Sequence, residues 1–166
     1  MSLDTIQLPA SIIQSLYSGL LYDLGTDKLI KENTTDEDIS FLGNNLKKVM
    51  ILVDSTSSIY LPDDELNFLL GILAACQLNM ADIALINIAK NKQVTYQAIS
   101  EKLGAEKIIL FGANSSELQL SLQFPYYQVQ QFNNQTYLAS VGLQTLMTDK
   151  AEKIKLWSCL KKIFSV

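Results

Sequence analysis

The sequence predicts an α/β protein, a three-layer α/β/α sandwich around a central, mostly parallel sheet of four or five strands. Three observations carry this. The runs VMILV (49–53), IALINIA (83–89) and KIILFG (107–112) are almost continuously apolar, the pattern of strands covered on both faces. Helical periods separate the runs, and strand–helix–strand order favours parallel neighbours. A chain of 166 residues, 48% hydrophobic and 18% charged, suits one domain (1–166) that buries about 70% of its unfolded surface.

Each element has a local cause. Residues 9–22 open on Pro9 and place apolar side chains at 12, 13, 16, 17, 20 and 21, an amphipathic helical period that stops near Gly25. Residues 23–45 hold six carboxylates against Lys28 and Lys31 and read as an exposed acidic loop, with a short helix around Glu37 to Leu42. The core then runs from 46 to 166. After the first buried strand, Pro62 with Asp63, Asp64 and Glu65 opens a helix, LNFLLGILAACQL, apolar nearly all round and so expected to be deeply buried. Thr95 caps the helix YQAISEKLG, which closes on Gly104. YYQVQQF (126–132), a turn at Asn133-Asn134 and TYLASV (136–141) read as later strands in a hairpin. Asp149, with Glu152 at the third helical position, caps a last helix whose apolar residues 156, 157, 160, 163 and 164 form one stripe.

Absences narrow the chemistry. The chain has no His, and all 13 basic residues are Lys. Without imidazole there is no Ser-His-Asp or Cys-His relay and no His-bearing zinc site. Without guanidinium the bidentate fork for guanine or phosphate is missing. A net charge of −4 opposes affinity for DNA or anionic membranes. Direct DNA binding, membrane association and a cofactor are therefore not expected. Cys76 and Cys159 sit singly in apolar helical stretches and read as buried core thiols. No N-terminal stretch joins a charged head to a long apolar run, so a cytoplasmic location is expected and the glycosylation-type triplets at Asn33, Asn114 and Asn134 carry no meaning.

Three places are candidates for function. Asp54-Ser-Thr-Ser-Ser58 follows a buried strand. It reads as a turn bonding its own backbone, or as a Mg²⁺ site, since ILVDSTSS resembles the metal-adhesion motif of von Willebrand A domains. That motif also needs an Asp from a later loop, and none occurs between Asp82 and Asp149. The mouth at the carboxyl ends of the strands would gather Asp54, Ser55, Asn87, Asn114 and Ser140 into a binding cleft. Asn87, ending a strand, either reads a ligand edge there or pins a loop. The segment 149–166 carries Lys150, Lys153, Lys155, Lys161 and Lys162 for a net of +3, leaving −7 elsewhere. Those lysines either solvate a helix face or form a patch for an acidic partner.

Four pieces in order resemble the uracil-DNA glycosylase superfamily: ILVDSTS (51–57), ALIN (84–87), IILFGANSSE (108–117), and TYLASVGLQTL with the EKIKLW helix. The resemblance covers about residues 48–164. It implies a water-activating position at Asp54 or Ser55, a base-reading Asn87, and a His-Pro-Ser where this chain has Leu138-Ala139-Ser140. Leu cannot donate the hydrogen bond that steadies a departing uracil anion. The resemblance thus implies the scaffold without its catalysis. The ending, with Ala139-Ser140, Leu143, Leu146, Leu156-Trp157 and Leu160, is also similar to the inactive psi-subunit family of the bacterial DNA polymerase III clamp loader. That family docks through an extended N-terminal peptide, whereas residues 9–22 here have a helical period. The resemblance implies a non-enzymatic domain that binds another protein. Ile12, Ile13, Leu16 and Leu20 are the candidate docking residues, on the chain's own domain or on a partner.

Overall fold

The computed structural model describes residues 39–113 and 123–166, which fall in one compact unit, Glu37–Val166. The 9–22 helix with Ile12, Ile13, Leu16 and Leu20, most of the acidic stretch, and Asn114 lie outside the described residues.

One six-stranded mixed sheet organises the unit. Its strands are β1 (Phe41–Leu42), β2 (Val49–Val53), β3 (Ile83–Asn87), β4 (Lys107–Phe111), β5 (Gln130–Phe132) and β6 (Gln135–Ser140), in the order β1-β3-β2-β4-β6-β5. The inner four are parallel, and the two edges pair antiparallel. The helices are α1 (Asp63–Ala75), α2 (Tyr96–Leu103), α3 (Leu143–Thr148) and α4 (Lys150–Phe164). The fold class is as the sequence predicts, with one strand more than expected. The extra strand, β1, lies where the sequence gives a short helix. Two residues have no period of their own, and Phe41 and Leu42 are extended because they pair with Ile86 and Leu85.

Alternation across β2, β3 and β4 feeds two cores. Ile51, Val53, Leu85, Ile109 and Phe111 point to the layer of α1, α3 and α4, and pack with Leu69, Leu73, Leu146 and Leu156. Met50, Leu52, Ile86, Ile108 and Leu110 point the other way, against Tyr96 and Ile99 of α2. All five residues of β2 and of β3 are buried, which accounts for the unbroken apolar runs.

The local signals act as read. Thr95 Oγ1 accepts the Ala98 N–H, and Gly104 ends α2 in the left-handed region. Asn133 and Asn134 both have positive φ, the geometry of a two-residue hairpin turn between β5 and β6. Asp149 accepts from the Ala151 and Glu152 N–H groups. Two elements are shorter than read. β3 gives way at Ile88 to a 3₁₀ turn, and the strand expected from 126 begins only at Gln130.

Helix α1 corrects an expectation. Only Leu69 and Leu73 are buried within it, while Leu70, Gly71, Ala74 and Ala75 are exposed. Hydropathy fixes how apolar a helix is, and leaves open which neighbours cover it.

Both cysteines are free and buried. Burial pushes the Cys76 thiol up to about 11 and raises that of Cys159. Native protein at pH 8 is expected to react with a disulfide reagent roughly tenfold or more slower than protein in denaturant, because the thiolate is the nucleophile. Stopped-flow absorbance of the released thiol checks this.

Candidate functional site

The carboxyl ends of β2 and β4 are where the winding of the sheet reverses, since β3 lies on one side of β2 and β4 on the other. Open α/β sheets place ligands at such points. A cavity of about 520 Å³ sits there. The turn after β2 brings Asp54, Ser55, Thr56 and Ser57, α1 brings Glu65, and the start of α3 brings Gln144 and Thr145. Gly112, at the end of β4, has φ +68°, and a Cβ on it would come within 3.0 Å of Gly142 Cα. Two backbones meet there, which leaves no room for a side chain.

The turn after β2 is shaped from below by Asn87. This side chain is fully buried. Its Oδ1 accepts the N–H of Ser55 (3.0 Å) and of Ala89 (3.2 Å). Its Nδ2 donates to the carbonyls of Ser55 (2.7 Å), Ser58 (3.1 Å) and Ile59 (3.1 Å). Asn91 extends the clamp, donating to the Asn87 carbonyl (2.8 Å) and bonding the backbone of Ser40. Lys90 reaches the Thr56 carbonyl from outside (3.2 Å).

The sequence-predicted cleft residues therefore separate. Asp54 and Ser55 line the cavity. Asn87 does not, because its amide is spent on the turn. Ser140 does not either: it is fully buried at the end of β6, paired with Phe111, and donates to the Val141 carbonyl (3.2 Å). A strand-terminal polar residue can face a ligand or its own loop, and composition does not separate the two. Leu138 and Ala139 are likewise inside the sheet. Glu65 was legible only as a helix-opening acid, and Gln144, which donates to it (2.9 Å), carries no sequence signal.

Electrostatically the cavity is acidic. Asp54 and Glu65 face it with five hydroxyl side chains, those of Ser55, Thr56, Ser57, Tyr126 and Thr145, and no cation is among its lining residues. Such a lining repels phosphate and suits neutral donors or cations. Behind β6, the Tyr127 phenol donates to the Glu152 carboxylate, which Lys155 also binds (2.7 Å). Burial and this carboxylate hold the Tyr127 phenol above its ordinary range, and Lys155 first, then Tyr127, hold Glu152 below the usual carboxylate range. This trio ties residue 127 to α4.

The second concavity was not anticipated. A groove of about 380 Å³ runs between α1 and α4, lined by Phe68, Gly71, Ile72 and Ala75 on one side and Leu156, Trp157 and Leu160 on the other. Lys153 stands over the Phe68 ring (5.4 Å to its centroid) and Lys161 over Trp157 (5.5 Å). Its signal in the sequence was the excess of apolar residues in LNFLLGILAA with a glycine at the centre. Among the described residues no helix is long and apolar enough to cross a membrane. No model of a known family matches the chain, and no curated protein matches it.

Proposed function

We propose that the chain is a non-enzymatic protein-interaction domain, similar in kind to the psi subunit of bacterial DNA polymerase III and associated with replication. The commitment of Asn87 carries this reading. On a working glycosylase scaffold the matching amide reads a base, whereas here all its polar atoms are bonded to protein backbone. The burial of Leu138, Ala139 and Ser140 supports the same conclusion. Residues 9–22 and the groove between α1 and α4 are the surfaces proposed for a partner. Two unpaired buried thiols fit a reducing compartment, the cytoplasm.

A second reading, a degenerate glycosylase-like binder of nucleotides, draws on the cavity at the strand ends. The carboxylates of Asp54 and Glu65 disfavour a phosphate there, which restricts that reading to a free base or nucleoside.

A uracil-release assay on single-stranded DNA tests the first reading. No release above a buffer blank is expected, together with a stoichiometric protein partner on purification from the native host. Release that Asp54→Ala abolishes would overturn it.

A further inference from the structure

We propose that the groove between α1 and α4 docks an amphipathic helix of a partner protein whose carboxylates are spaced about two helical turns apart. This rests on the reading of the chain as an interaction domain and names the partner's chemistry.

Three independent features point to such an occupant. The first is the uncovered apolar face of α1. Leu70 is 38% exposed, and Gly71, Ala74 and Ala75 are exposed, on a helix whose composition belongs to a buried element. An apolar helix in a groove is a recurring mode of recognition, and an aromatic anchor such as Trp157 commonly centres it.

The second is Gly71. Glycine inside a helix lowers helix stability relative to alanine. At Gly104 and Gly112 the chain gains a positive φ in return, and at Gly112 a backbone contact as well. At Gly71 it gains neither: φ is not positive, and an added Cβ would meet nothing within 4 Å. Packing among the described residues gives no reason for a missing side chain there. The close approach of another backbone does.

The third is charge. Lys153 and Lys161 stand over the rings of Phe68 and Trp157, which line the groove, and neither is in an ion pair among the described residues. They are eight positions apart on α4, about 12 Å at 1.5 Å per residue. A helix lying along the groove would meet both ammonium groups with carboxylates about two of its own turns apart. The segment 149–166 is net positive in a chain that is otherwise net negative, so positive charge is concentrated on the helix that forms one wall of the groove.

The test uses the full chain and a fluorescein-labelled synthetic helix of about 18 residues, with leucines along one face and two glutamates two turns apart. The control peptide has lysines in place of the glutamates. Anisotropy is expected to show the glutamate peptide binding at least tenfold tighter, with the preference shrinking as salt is raised. Gly71→Leu, which puts a side chain into the groove from a position where an added Cβ meets nothing within 4 Å, is expected to weaken binding at least tenfold while the thermal midpoint holds. Lys153→Glu with Lys161→Glu is expected to reverse the preference. Equal binding of the two peptides, or full binding by Gly71→Leu, overturns the proposal. So does a concentration-dependent dimer that Gly71→Leu abolishes, which makes a second copy the occupant. Binding that appears only after Leu16→Asp and Leu20→Asp makes the chain's own residues 9–22 the occupant and overturns it equally. A native partner that Gly71→Leu still retains removes this groove but leaves the interaction reading standing, whereas uracil release removes that reading itself.

Discussion

Asn87→Asp is expected to destabilise the protein by about 4 kcal/mol at neutral pH and to recover much of that loss on acidification. The substitution preserves shape and inverts chemistry. The wild-type Nδ2 donates to the carbonyls of Ser55, Ser58 and Ile59. A carboxylate oxygen in its place faces three acceptors with no proton to offer, at a site with no solvent exposure. An uncompensated buried charge typically costs about 3–5 kcal/mol. Desolvation and the carbonyl dipoles both disfavour the charged form, so the folded pKa stands above the unfolded value of about 3.9. A raised folded pKa makes the deficit small below about pH 4 and larger as pH climbs through that value. Urea midpoints should be compared with wild type at each pH. The subtraction cancels shared carboxylates such as Glu106 and Glu152, which Lys48 and Lys155 hold below the ordinary range and whose own contribution fades in acid. Asn87→Ala, which adds no charge but orphans the buried Ser55 N–H, is expected to cost about 3 kcal/mol at every pH. Equal midpoints for Asn87→Asp and wild type at pH 7 would mean that the turn keeps its shape without the clamp.

The same clamp explains what the sequence could and could not tell. Strands β2, β3 and β4 were legible because burial on both faces writes itself as an unbroken apolar run. Helix α2 was legible at both ends because Thr95 and Gly104 act through bonds to near neighbours. What failed was non-local. Phe41 and Leu42 are extended only because β3, more than 40 positions on, offers an edge. Asn87 and Ser140 are polar residues at strand ends, and whether such a residue faces a ligand or a loop depends on partners that spacing does not encode. The uncovered side of α1 depends on what packs against it. The cavity's position was inferable from strand order, and Asp54 and Ser55 of its lining with it, but Glu65, Gln144 and Thr145 were not, because they reach it from two helices. The function read from resemblance rests on the first kind of signal for its scaffold and on the second for its chemistry.

Gly43→Ala is the other substitution with a large expected effect, about 3–5 kcal/mol, and it acts through the sheet edge. Gly43 has φ +109°, a conformation that side chains bearing a Cβ rarely adopt. An added Cβ would be driven into the Ile83 carbonyl oxygen and to 2.5 Å from that of Met80. Neither oxygen is a flexible side-chain tip. The Ile83 carbonyl also accepts the Asn45 N–H (2.9 Å), and the next two residues continue the contact, Leu46 to the Ala81 carbonyl (3.1 Å) and Lys47 to that of Asp82 (3.0 Å). Relief of the clash therefore shifts residues 43–47 away from 80–83 and pulls at β1, which the same turn delivers to β3. Gly104→Ala is the control. Its φ is +57°, but nothing lies within 4 Å of the added methyl, so it bears only the backbone cost, about 1 kcal/mol. The difference in urea midpoint between the two variants isolates the clash from the loss of glycine freedom. A second readout follows from topology. With β1 displaced, the edge of β3 presents the fully buried run Ile83–Asn87 as unpaired backbone, a template for association between chains. Light scattering that rises with concentration is expected for Gly43→Ala and not for Gly104→Ala. Matching midpoints for the two variants would mean that the 43–47 turn moves aside at no cost and that β1 contributes nothing to the edge.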